Sequence, residues 1–268
     1  DHYSALFKIG TMEPLIGGPP FVRALEEMVK LYGSDSEQVE QLSPDEVRQR
    51  FWNGQCALAI GWPSSAATDL HSDPSYKTEA KQDQPVEADF CAFPAAREVF
   101  NPGQQEWGAR ADDDSGTVPL VAIEGRLASI CADSDHKKAA LALIAALSGR
   151  EWGTTVFARS PATTLYRNSQ RRDVVAWIEP PVSAAAANSY AELVVDMFSG
   201  SEAITALRIP GRERYLAALS TAVTDALAGK DSPQVLLKRV AAKWEEITIE
   251  LGSDRQRLAY QRSLGLMP

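Results

Sequence analysis

The sequence predicts an α/β protein with a mostly parallel sheet, and three observations carry that expectation. Short runs that are apolar at most positions, such as Cys56 to Ile60, read as strands buried on both faces. These runs alternate with segments of helical periodicity. The last third of the chain is helical throughout, as expected for elements that cover a sheet.

Taken in order, residues 1–20 contain Gly17, Gly18, Pro19 and Pro20 and little periodicity, so they read as an irregular lead-in that does not begin like a domain. Phe21, Val22, Leu25, Met28, Val29 and Tyr32 then share one helical stripe, with Gly33 as a stop signal. Ser43 begins a second helix: Ser43 with Glu46 forms a capping box, and Pro44 takes the first helical position. The helix ends at Gly54, and the strand Cys56 to Ile60 delivers Trp62 into a Pro/Ser loop. In α/β sheets ligands bind outside the carboxyl ends of strands, so an aromatic there is a candidate contact surface, unless it only plugs the end of the sheet. Trp52, beside the Phe51 stripe, reads as half-exposed packing.

Ser64 to Gln84 is polar and reads as loop or a short surface helix, and Ala88 to Phe93 is the next apolar run. A long connection from Ala95 to Val118 holds Trp107 and the acidic triplet Asp112 to Asp114, and connections of that length are usually functional or disordered. Pro119 to Cys131 reads as two extended pieces around Glu124, Gly125 and Arg126, the second, LASIC, being a buried strand. Ser134 caps a helix whose Ala139, Leu143, Ile144 and Leu147 lie on one helical face, and which stops at Gly149. Glu151 to Arg159 is a further short helix, broken by Ser160 and Pro161. Helices follow over Val174 to Ile178, Ala187 to Phe198, Arg212 to Ala228 and Pro233 to Leu251, with a terminal piece to Leu264. Trp244 lies on the stripe of Leu236, Val240 and Ile247 and is expected in the core, as are Trp152 and Trp177 in their own helical patterns.

Composition bounds the function. With 27 Lys+Arg against 36 Asp+Glu the net charge is −9, and no basic run offsets it, which disfavours nucleic acid and anionic membrane surfaces. No apolar run approaches the roughly 20 residues of a membrane span, and DHYSALFKIG has neither the charged start nor the apolar run of a signal peptide. Cys56, Cys91 and Cys131 have no metal or redox spacing and are expected as buried, inert thiols.

The catalytic and metal motifs give little. His2, His71 and His136 neighbour no nucleophile turn. Asp112, Asp114 and Gly116 resemble the opening of a calcium loop whose later ligands fall out of register, so no metal is expected. No phosphate loop or dinucleotide fingerprint is present, so no cofactor is expected. What stands out is a set of aromatics and arginines at segment junctions: Trp62, Trp107, Arg126, Arg208 and Tyr215. Flat apolar faces and planar polar groups are what sugar recognition requires.

The order FWNGQCALAIGWP, ADFCAFP, PLVAIEGRLASI, HKKAALALIAALSGREW, SPATTLYRNS and LRIPGRERYLAALSTAVTDALAGKDSPQVLLKRVAAKWEEI resembles the C-terminal two-thirds of a family 1 extracellular solute-binding protein, a sugar receptor of ABC importers. The closing pattern of Pro210, Tyr215, Gly229, Pro233 and Trp244 is the most recognisable part. The resemblance implies a two-lobe, periplasmic-binding-protein-like (type II) fold lacking most of the N-terminal lobe. It places residues 1–118 in the C-terminal lobe, 119–160 in a hinge crossing with an N-terminal-lobe segment, and 161–268 back in the C-terminal lobe.

The resemblance also implies a non-enzymatic receptor, periplasmic or extracellular, that presents a mono- or oligosaccharide to ABC permease subunits in the membrane. The expected ligand contacts are Trp62 as the stacking aromatic, Trp107 bordering the cleft, Gly125 and Arg126 at the turn before the crossing strand, Thr163 at the return crossing, and Arg208 and Tyr215 flanking the Pro210 turn. Two alternatives stand beside it: a scaffold module that kept the fold and lost the ligand, and a hydrolase using carboxylates such as Glu106, Glu124 or Asp112.

Overall fold

The computed structural model describes residues 4–33, 42–60, 87–92, 94–111, 116, 120–121, 128–149, 174, 182–199 and 204–266. The chain divides into two compact units, each assembled from separated stretches: Asp1–Glu40, Phe93–Ala122 and Ser201–Pro268 form the first, Gln41–Ala92 and Ile123–Gly200 the second.

The first unit is built on helices α1 (Pro19–Gly33), α5 (Arg212–Leu227), α6 (Pro233–Glu250) and α7 (Ser253–Ser263). α6 starts as the sequence dictates: Pro233 follows the N-cap Ser232, whose side chain accepts from Val235 N–H at 3.4 Å. Its apolar positions Leu236, Val240, Trp244 and Ile247 fall on one face, and all are buried. α5 packs along α6, and α1 lies against both. α5 ends in a Schellman motif, with Gly229 at φ 68° and the amides of Gly229 and Lys230 bonded to the carbonyls of Ala226 and Asp225, both at 3.0 Å.

Residues 4–18, expected as an irregular lead-in, are instead part of this core. Phe7, Met12 and Ile16 are buried, and Phe7 sits among Trp244, Tyr215 and Tyr260 at centroid distances of 5.1, 5.7 and 5.4 Å. The segment folds back on itself, with Leu15 N–H on Leu6 O and Lys8 N–H on Glu13 O, both at 2.9 Å. Burying an aromatic of this size contributes about 2–3 kcal/mol, so local periodicity was a poor guide to the worth of the segment.

The long connection expected from 95 to 118 contains a hairpin. β1 (Glu98–Asn101) pairs antiparallel with β2 (Glu106–Ala109). β3 (Leu120–Val121) pairs in parallel with β4 (Ile204–Thr205), joining two stretches of the first unit distant in sequence.

The second unit holds α2 (Pro44–Trp52), α3 (Lys137–Leu147) and α4 (Ala184–Ser199). The capping box forms: Ser43 N–H donates to Glu46 Oε2 at 2.6 Å, and Glu46 N–H to Ser43 Oγ at 3.3 Å. Its core gathers Trp52, Val174, Val182 and the Ala186, Ala187, Tyr190, Ala191 and Val194 face of α4, with Phe51, Ala88 and Phe90 against it. Trp52, 8% exposed, is therefore more buried than the expected half-exposed packing, as a member of this core.

Three expected strands are corrected. Residues 56–60 form no strand, and Leu58 and Ile60 are 88% and 76% exposed. Residues 88–92 and 128–131 are likewise irregular. A buried strand requires a neighbour to take its backbone hydrogen bonds, and among the described residues none pairs with these runs. α3 begins at Lys137, with His136 as N-cap, while Ser134 Oγ accepts from His136 N–H at 3.2 Å. None of its side chains is buried: Leu143 and Leu147, on the expected helical face, are exposed. The three thiols are free, with Cys56 half-buried and Cys91 and Cys131 exposed, which corrects the expectation of burial. The expected helix Glu151 to Arg159, the polar stretch 64–84, Trp152 and Trp177 lie outside the described residues.

Candidate functional site

The local chemistry of the hairpin positions the site. Asn101 Oδ1 accepts from the N–H groups of Gly103 and Gln104 at 2.9 and 3.1 Å, an Asx turn that reverses the chain at Asn-Pro-Gly. Gln105, at φ 58°, closes the loop through its N–H on Asn101 O at 2.8 Å.

The register then decides which side chains meet. Phe100 stands opposite Trp107 and Glu98 opposite Ala109. Side chains alternate along a strand, and directly paired residues share a face. Glu98, Phe100 and Trp107 therefore occupy one face of the hairpin, while Val99, Asn101 and Glu106 occupy the other.

Arg23 of α1 lies across the first face. Its guanidinium carbon is 4.4 Å from the centroid of the Trp107 ring, and Nη1 is 2.9 Å from Glu98 Oε2. Phe100 meets the indole in a T-shaped contact at 5.4 Å. Trp107 keeps 38% of its surface exposed. A cation on an indole at an exposed position contributes about 0.5–1 kcal/mol, and a half-exposed ion pair adds between about 0 and 1 kcal/mol. These interactions fix the ring without covering it.

The expected contacts are distributed unevenly. Trp62, Gly125, Arg126 and Thr163 lie outside the described residues. Trp107 lies partly exposed on one face of the hairpin. Arg208 is exposed, and its Nη2 donates to Ser263 O, tying the segment before α5 to the end of α7. Tyr215 is corrected: it is fully buried in the core of the first unit, with its hydroxyl 3.0 Å from Thr248 Oγ1, so its ring offers no face to a ligand. Burial of this phenol raises its pKa above the ordinary value, against the smaller opposing effect of the Thr248 hydrogen bond. Trp107 and Arg208 belong to the same unit, but no described contact joins them.

Glu106, a carboxylate of the hydrolase alternative, stands on the opposite hairpin face from Trp107, and Glu124 and Asp112 are outside the described residues. Among the described residues no group of three or more His, Cys, Asp or Glu could hold a metal ion, and no helix is long and apolar enough to cross a membrane.

Arg23 and Glu98 were missed from the sequence. The hairpin had a signal, Asn-Pro-Gly between EVF and EWG, and reading it would have placed Glu98 and Trp107 on one face. No local signal pairs Arg23 with that face, since α1 is distant in sequence. Compared with known proteins, the chain matches no family model and no curated protein.

Proposed function

We propose that this chain is a carbohydrate-binding receptor without catalytic activity, of the kind that serves ABC importers outside the cytoplasm, and that Trp107 is part of its ligand surface. The observation that carries the reading is the half-open indole of Trp107 beneath the Arg23 guanidinium, with Glu98 paired to that guanidinium on the same hairpin face. A sugar presents an apolar C–H face, which matches an indole, and equatorial hydroxyls, which match a planar donor beside an acceptor.

The order of the six sequence segments supports the same reading and with it a two-lobe type II fold. The division into two units, each drawn from non-contiguous stretches, is compatible with such a fold. The partners of this reading are a mono- or oligosaccharide and the permease subunits of an importer. Trp62, Gly125, Arg126, Thr163 and Arg208 remain proposed contacts.

Thermal denaturation with a panel of mono- and oligosaccharides at millimolar concentration tests it, because a ligand that binds only the folded state raises Tm. A sugar-specific rise that disappears in Trp107→Ala is the expected result. Absence of a rise with every sugar of the panel sinks the reading.

A further inference from the structure

We infer that the Arg23–Glu98 pair makes the Trp107 surface selective for uncharged sugars and disfavours acidic ones, an inference that rests on the receptor reading. An arginine beside an aromatic would by itself be a ready acceptor for a carboxylate, because the guanidinium fork matches that geometry. Here one arm of the fork is already paired with a carboxylate. Glu98 Oε2 lies 2.9 Å from Arg23 Nη1, so an incoming uronate meets a balanced pair and, at a few ångströms, a resident carboxylate of its own sign.

The same pair suits a neutral polyol. Arg23 supplies donors and Glu98 an acceptor, on the face that presents the indole, and both side chains are about half exposed and reachable. A hydroxyl, which donates and accepts, is satisfied by two such neighbours, whereas a carboxylate only accepts. The net charge of −9 adds a general repulsion against acidic ligands. Glu98 is thus a specificity-determining residue: it lowers the attraction of Arg23 for anions and keeps the hydroxyl acceptor in place.

The test uses the whole chain labelled with 5-fluorotryptophan, with the Trp107 resonance among six assigned through Trp107→Phe. Glucose, galactose, glucuronate and galacturonate are titrated at low salt while Tm is followed in parallel. The expected result is that a neutral sugar moves the Trp107 resonance and its uronate binds about tenfold more weakly or not at all, one contact's worth of discrimination. Glu98→Gln is expected to bring the uronate within about threefold of the neutral sugar, and Arg23→Gln, which leaves the carboxylate unopposed, is not. Wild-type binding of uronate as tight as that of its neutral partner overturns the charge selectivity and leaves the receptor reading intact. So does a sugar that raises Tm while the Trp107 resonance stays still. Neither a Tm rise nor a resonance shift with any of the four, or with any oligosaccharide of the wider panel, overturns both.

Discussion

Tyr215 and Trp244 are bonded to each other's helices in both directions. The indole N–H of Trp244 donates to the backbone carbonyl of Tyr215 at 2.8 Å, and the Tyr215 hydroxyl reaches Thr248, one turn beyond Trp244, at 3.0 Å. Thr248 Oγ1 donates its own proton to Trp244 O at 2.8 Å, so the Tyr215 hydroxyl is the donor in its pair. α5 and α6 are thereby latched through polar atoms inside an apolar core, where hydrogen bonds are strong and unpaired groups costly.

Trp244→Ala is expected to destabilise the first unit by about 3–5 kcal/mol, the cost of a large buried cavity. Trp244→Phe keeps most of the volume and loses the indole donor, with an expected cost of about 1–3 kcal/mol. Urea unfolding of both variants checks the order, and a Trp244→Phe protein as stable as the wild type would mean that the latch contributes nothing.

Tyr215→Phe removes the donor to Thr248 and is expected to cost about 1–2 kcal/mol near neutral pH. The alkaline limb carries a second signature. Burial raises the folded-state pKa of Tyr215, so its contribution is complete below the ordinary phenol value of about 10 and is lost as pH rises through the folded value. Tm against pH should fall less steeply above about pH 10 in Tyr215→Phe than in the wild type.

In the capping box the sign is opposite. Hydrogen bonds from the Ser43 side chain, and secondarily from its backbone N–H, hold the Glu46 carboxyl below its ordinary value. That contribution is present above the unfolded carboxyl value of about 4.3 and disappears as pH falls through the lower folded value. Ser43→Ala is expected to bring the Glu46 titration, followed by carboxyl carbon NMR, back toward the ordinary value. Its loss as a helix cap is expected to weaken α2 by about 1 kcal/mol.

Gly211 and Gly229 provide a matched pair. Both have positive φ, 72° and 68°, but a Cβ on Gly211 would stand 2.5 Å from Leu251 Cδ1, whereas one on Gly229 meets nothing within 4 Å. Gly229→Ala should cost only the left-handed conformation, about 1 kcal/mol, and Gly211→Ala that amount plus the displacement of Leu251, about 1 kcal/mol more. Equal melting temperatures for the two variants would show that Leu251 yields freely.

Much of the helical architecture was legible because its signals are local. Ser43 with Glu46, Ser232 with Pro233, and Gly229 each declare a terminus within a few residues, and the Trp244 stripe declares a buried face. The strands were not legible in the same way. An apolar run such as 56–60 looks alike whether a neighbouring strand pairs with it or none does, and pairing is decided elsewhere in the chain. The value of Phe7 lies in contacts with Tyr215, Trp244 and Tyr260, none of them near it in sequence. Of the site, Trp107 was legible by residue type and position, and Arg23 was not, because its role exists only once α1 and the hairpin have met.

The packing of Phe7 against Tyr260, reinforced by the 2.7 Å bond between Ser4 Oγ and the Tyr260 hydroxyl, has a consequence for biogenesis. A ribosome releases Phe7, Met12 and Ile16 long before α6 and α7 exist to receive them. Those side chains stay uncovered until the later helices have emerged, and closing the first unit brings together residues more than 200 positions apart, which is slow. The interval is when chaperones or proteases find the chain most accessible. Chaperone supply during synthesis should therefore affect the yield of folded protein.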